Sequence, residues 1–136
     1  MLSPKSIVKE KMYPHDAFSQ WLGIEIVDVG KGSCVTKMKI RPEMTNGFGI
    51  AHGGILYSLA DSTLAFASNT FGTHTYSFET SISHFHKSEE GDQLTASAIL
   101  QKRGYKISVF TVEVKNQDAV VALFKGTVYH DKKEWV

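Results

Sequence analysis

The sequence holds a single cysteine, Cys34, in 136 residues. An intrachain disulfide and a cysteine-based zinc cluster are therefore excluded. Charge of either sign is not in excess: 15 Lys and Arg against 14 Asp and Glu leave a formal net charge of +1, with no basic or acidic block. Nucleic acid and an anionic membrane surface are poor partners for such a chain, which leaves small molecules or proteins. No apolar run reaches the roughly 20 residues of a membrane span. The opening stretch MLSPKSIVKEKMYPH is interrupted by Lys5, Lys9, Glu10 and Lys11, so no signal sequence is expected and a cytoplasmic setting follows. Internal repeats, low-complexity tracts, a phosphate-binding loop and a Gly-x-Ser-x-Gly nucleophile turn are all missing.

With 42% hydrophobic and 21% charged residues, the chain has the balance of one globular domain, spanning 1–136. Residues 4–20 read as a short N-terminal helical arm, interrupted by Pro14, in which His15-Asp16 can start a second turn. Residues 21–29 alternate apolar and polar before the turn Gly30-Lys31-Gly32, which signals a hairpin. In the next strand, 33–41, Cys34, Thr36, Met38 and Ile40 share one face. A long apolar helix follows, closed by Asn69 and Gly72. Segments 75–86, 93–102, 106–115 and 119–130 are rich in β-branched and aromatic residues and are parted by turn residues. The order is ββαββββ, an α+β architecture, and the short connections imply antiparallel neighbours.

The helix is the unusual element. Between Gly53 and Gly72 it carries one charged side chain, Asp61, among apolar and small residues. A helix apolar on nearly every face needs cover all round, from a sheet that curls about it or from a second subunit. An isolated carboxylate there is paired by something distant or kept for chemistry. Gly53 and Gly54 stand at the helix start, where backbone N–H groups lack intrahelical partners and face the positive end of the macrodipole. Such groups can stabilise an oxyanion, and Asp61 can serve as base or nucleophile. The eight-residue separation amounts to about 12 Å of rise, too far for one reacting carbonyl to meet both groups. Two antiparallel helices related by a two-fold axis near Tyr57 would set Gly53 of one copy opposite Asp61 of the other. A dimer with two shared sites is the expectation.

Asn46, then His52-Gly53-Gly54, then Asp61, then four strands ending in Val121-Ala122-Leu123-Phe124-Lys125-Gly126-Thr127, resembles the phenylacetate-degradation type of hotdog acyl-CoA thioesterase. The likeness covers roughly residues 18–130. It implies a hotdog fold, with a long helix wrapped by a curved antiparallel sheet, and hydrolysis of a thioester to a carboxylic acid and free coenzyme A. No metal or separate cofactor is implied, since coenzyme A is part of the substrate. The resemblance gives Asn46 a part in positioning water or the carbonyl, has His52 support the loop or the substrate, turns Ser77 toward the carboxylate, and favours tetramers built from dimers. Ser77 also belongs to a polar row with Glu79, Ser81 and Ser83.

Lys87, Arg103 and Lys106, at strand ends, are the cations placed to meet the phosphates of coenzyme A. His86-Lys87-Ser88 stands where the family often has Arg-Pro. Aryl or medium-chain acyl groups are expected, with Phe48, Tyr57, Phe66 and Phe71 as acyl-pocket candidates. His84-x-His86 has no third ligand at a familiar metal spacing. Two other readings stay open: a hotdog hydratase or dehydratase, and a non-catalytic acyl-CoA sensor.

Overall fold

A computed structural model describes residues 1–136. The N-terminal arm is a succession of short turns. Ser3 caps α1 (Pro4–Ser6), the chain widens into a π-type turn at Ile7–Met12, and a 3-10 turn follows at Tyr13–His15. Asp16 then caps α2 (Ala17–Leu22), which ends at Gly23 with φ +75°. Trp21 and Leu22, expected in the first strand, thus belong to this helix. The capping carboxylate at one end and a left-handed glycine at the other outweigh the alternation in the sequence.

The remaining order is β1 (Glu25–Gly30), β2 (Ser33–Lys39), α3 (Gly53–Ser68), β3 (Thr73–His84), β4 (Gln93–Lys102), β5 (Ile107–Asn116) and β6 (Ala119–Glu134). A 3-10 turn at Asn69–Phe71 closes α3, and Gly72 at φ +108° turns the chain into β3. All six strands form one antiparallel sheet in the order β1-β2-β4-β5-β6-β3. β3 and β4, consecutive and joined by a short link, are therefore not neighbours. The link, 85–92, runs from β6 to β2: Phe85 N–H bonds to the Val121 carbonyl, while Gly91 N–H and Asp92 O bond to Ile40.

The inward face of β2 is Cys34, Thr36 and Met38, continued by Ile40 just past its end, each at most 1% exposed. Leu59, Ala60, Leu64 and Phe66 of α3 pack into the same core, and Thr63 bonds Thr36 across the helix–sheet contact (Oγ1–Oγ1 2.8 Å). Gly126 gives Leu64 its place, since a Cβ at 126 would collide with the leucine methyls. Cover is nonetheless incomplete. Gly54, Ser58, Asp61 and Ala65, spaced as one stripe along α3, are only partly buried or exposed. The outer edge of β3 pairs with nothing, and Tyr76 and Phe78 are 46% and 57% exposed.

Candidate functional site

The segment before α3 is folded by Asn46. Its backbone N–H bonds to the Ile50 carbonyl (2.8 Å), and its Oδ1 accepts from Phe48 N–H (2.9 Å) and Ile50 N–H (3.4 Å), which leaves the amide nitrogen free to donate. His52 is the helix N-cap, and its Nδ1 accepts from Gly54 N–H at 2.9 Å. Of the Gly-Gly pair, Gly53 alone therefore keeps a free N–H at the positive end of the helix. Gly54, expected beside it as a substrate contact, has its donor committed to the His52 ring.

Asn46, Gly53, Leu56, His84, Lys87 and Ser88 help line a cavity of about 320 Å³. A side chain at Gly53 would come within 3.4 Å of His84 Nε2, so the absence of a Cβ keeps this approach open. Ser88 is 2% exposed and its hydroxyl has no hydrogen-bond partner. The pairing of His84 with Gly53 comes from the end of β3 meeting the start of α3. His84 and His86 are joined by no third potential metal ligand.

Asp61 opens elsewhere. With Thr75, Tyr76 and Ser77 of β3 and Val128 of β6 it lines a separate cavity of about 230 Å³. The nearby hydroxyls do not serve it, because Ser58 donates to the Gly54 carbonyl and Ser62 bonds Ser19. The three ion pairs, Lys37–Glu25, Arg41–Glu43 and Lys87–Glu89, also lie elsewhere. Burial pushes the Asp61 carboxyl above the usual range, and the negative charge of Asp16 adds to the rise. Ser77 reaches this cavity through a bulge: Ser77 pairs with Val128 and Glu79 with Thr127, with Phe78 left over. That extra residue separates Ser77 from Glu79, Ser81 and Ser83, so the polar row expected along β3 is broken.

A third cavity, of about 430 Å³, lies at the turn between β4 and β5. Phe71, Arg103, Tyr105 and His130 line it, and the Arg103 guanidinium sits 3.9 Å from the centre of the Phe71 ring. His130 is held between Ser108 (Nε2–Oγ 2.6 Å) and Thr75 (Nδ1–Oγ1 3.2 Å). Burial, then Arg103, lowers its pKa. Nothing in the spacing of Thr75, Ser108 and His130 marks this trio in the sequence. Lys106 is exposed on the same turn. Cys34 is no nucleophile: burial, helped by Asp28, pushes its thiol up to about 12.

Residues 48–123 match the thioesterase superfamily. The chain is 37% identical over 116 residues to the acyl-coenzyme A thioesterase PaaI of Escherichia coli K12, covering 85% of this chain and 83% of that protein. The solved structure of E. coli PaaI, from the phenylacetic acid degradation operon, superposes with a TM-score of 0.88 at 35% identity, covering 90% of each chain. A Streptococcus mutans protein solved bound to acetyl CoA gives a TM-score of 0.79 at 25% identity, over 82% of this chain and 91% of that one. The helix-in-sheet arrangement is thus the hotdog fold, with a short helical arm ahead of it.

Proposed function

The chain belongs to the thioesterase superfamily, and from that footing we propose that it hydrolyses acyl-CoA thioesters at a site shared between two copies of the chain. The observation that carries this reading is the partly uncovered stripe of α3. Asp61 lies on it, while the free Gly53 N–H opens into a different cavity. Pairing two such helices antiparallel covers both stripes and brings the partner's Gly53 to Asp61. The unpaired edge of β3 offers a second strip of the same interface.

In that assembly the thioester carbonyl oxygen accepts from Gly53 N–H, which stabilises the charge that develops as the carbonyl carbon becomes tetrahedral. Asp61 acts as general base toward water or as nucleophile. Its raised pKa makes the ionised carboxylate a stronger proton acceptor than an ordinary one, and a stronger nucleophile by the same measure. Water oxygen bonds to carbon, the carbon–sulfur bond breaks, and the water proton held by Asp61 passes to the departing thiolate. The Asn46 amide nitrogen orients the carbonyl or the water, Ser77 stands beside the carboxylate, and His52 holds the turn that presents Gly53.

Coenzyme A as the leaving group is supported by the E. coli relative, an acyl-coenzyme A thioesterase, and by the acetyl CoA on the S. mutans neighbour. Lys87 beside the Gly53 cavity, with Arg103 and Lys106 at the β4–β5 turn, supplies cations for its phosphates. No metal or further cofactor is needed for this chemistry, and dimers pairing into tetramers in the cytoplasm complete the proposal.

The test is release of free thiol from phenylacetyl-CoA and a set of aliphatic acyl-CoAs. Turnover by wild type and its loss in Asp61→Asn are expected, whereas binding without turnover would favour an acyl-CoA sensor. Mixing Asp61→Asn subunits with subunits blocked at Gly53 by a bulky residue should restore activity as the dimers exchange. No recovery in exchanged dimers would sink the shared site.

A further inference from the structure

The arm and the central helix meet through a chain of hydrogen bonds one residue from Asp61. Asp16 caps α2 by accepting from Ser19 N–H with Oδ1 (2.9 Å), and its Oδ2 accepts from the Ser19 hydroxyl (2.7 Å). Ser19 is wholly buried, and its Oγ lies 2.8 Å from Ser62 Oγ. A hydroxyl has one proton. Because that of Ser19 goes to the carboxylate, Ser62 must donate to Ser19, and the order Ser62→Ser19→Asp16 follows. Capping needs only the first of these bonds. The other two tie the arm to the turn of α3 that carries Asp61.

We propose that Asp16 is a positioning residue for Asp61: through Ser19 and Ser62 it holds the turn of α3 that carries Asp61, and it acts on that carboxyl as a like charge. The inference rests on the role given to Asp61 above. Around Asp61 the other groups are nearly all neutral. β3 brings Thr75, Ser77 and one titratable group, Tyr76; β6 brings Val128; α3 has no other charge. Across the proposed interface, the partner's His84 accompanies the partner's Gly53. Asp16 is thus the one acidic group that acts on Asp61 from within the chain, and like charges disfavour each other's ionisation. The arm thereby takes part in the reaction without touching substrate.

Asp16→Asn removes the charge and keeps the cap, because its Oδ1 still accepts from Ser19 N–H; the amide nitrogen in place of Oδ2 donates to the Ser19 hydroxyl, whose own proton turns to Ser62, so the link persists with its direction reversed. The acid limb of its kcat/KM profile should move to lower pH, with the plateau within a few-fold of wild type. Ser62→Ala keeps the charge and cuts the link; it should lower kcat several-fold while the limb stays in place. A carbon-13 NMR titration of the Asp61 carboxyl, assigned by its absence in Asp61→Asn, reads the same shift without turnover. If no acyl-CoA is hydrolysed, the thioesterase reading fails and this titration still decides the role of Asp16. A downward shift in Asp16→Asn upholds it, and a titration that superimposes on wild type overturns it.

Discussion

Gly53 and Asp61 lie on one unbroken helix, eight residues apart, and open into different cavities. With about 12 Å of rise between them, neither can complete a carbonyl site with the other. In the proposed dimer each is half of a site. The half at Gly53 holds hydrogen-bond donors, and the half at Asp61 holds a carboxylate without a cation, so each has the chemistry that the other lacks.

Asp61→Asn should lower kcat by about 10²–10⁴-fold and stabilise the fold at neutral pH. The folded-state pKa of Asp61 lies above its unfolded value, so between the two the folded chain binds more protons. Stability from this group is therefore full at acid pH and declines as pH rises through that window. Denaturation of the mutant by urea at pH 4 and pH 7 should show a smaller decline than wild type. An equal decline would mean that Asp61 ionises as freely folded as unfolded.

Ser88→Ala should raise stability by about 1 kcal/mol. Its hydroxyl is buried with no partner, so removing it relieves a desolvation cost and breaks no hydrogen bond. The measurement is the urea midpoint at constant m-value. A drop in midpoint would show that Ser88 has a bonded structural role.

Gly126→Ala should cost about 1–3 kcal/mol. The added methyl runs into Leu64, itself 1% exposed and hemmed in by the core. Thermal unfolding reads the loss, and in a Leu64→Ala background, which makes room but is itself destabilising, Gly126→Ala should cost less than it does in the wild-type chain. An undiminished cost would place the strain elsewhere.

His130 should titrate below an ordinary histidine, because burial and then Arg103 disfavour its charged form. Here the unfolded chain takes up the proton first. Stability from His130 is present above the ordinary value near 6.5 and is lost as pH falls through the lowered one. Arg103→Gln should move the imidazole titration, followed by proton NMR, part of the way back up. No movement would leave burial as the sole cause.

Local chemistry was readable where a periodicity or a glycine carries it. Cys34, Thr36, Met38 and Ile40 alternate inward as their spacing demands, and Asn69 and Gly72 mark the end of α3. Trp21 and Leu22 misled because an apolar–polar alternation of a few residues also fits one helical turn, which Asp16 and Gly23 then fix. Ser77 separates from Glu79 through a bulge that has no marker in the sequence around Phe78. The engagement of Gly54 by His52 was equally hidden, since it turns on the direction of one imidazole ring.

By itself the sequence determined the ββαββββ order, the apolar helix with its single carboxylate, and the distance along the helix between Gly53 and Asp61, because propensity, periodicity and rise per residue are local properties. Tertiary structure alone decided that β3 sits at the sheet edge beside β6, that His84 meets Gly53, and that Asp16 is linked to Ser62. These contacts join residues far apart in the chain, and their pairing depends on how the sheet closes around α3, a choice that many locally similar sequences could make differently.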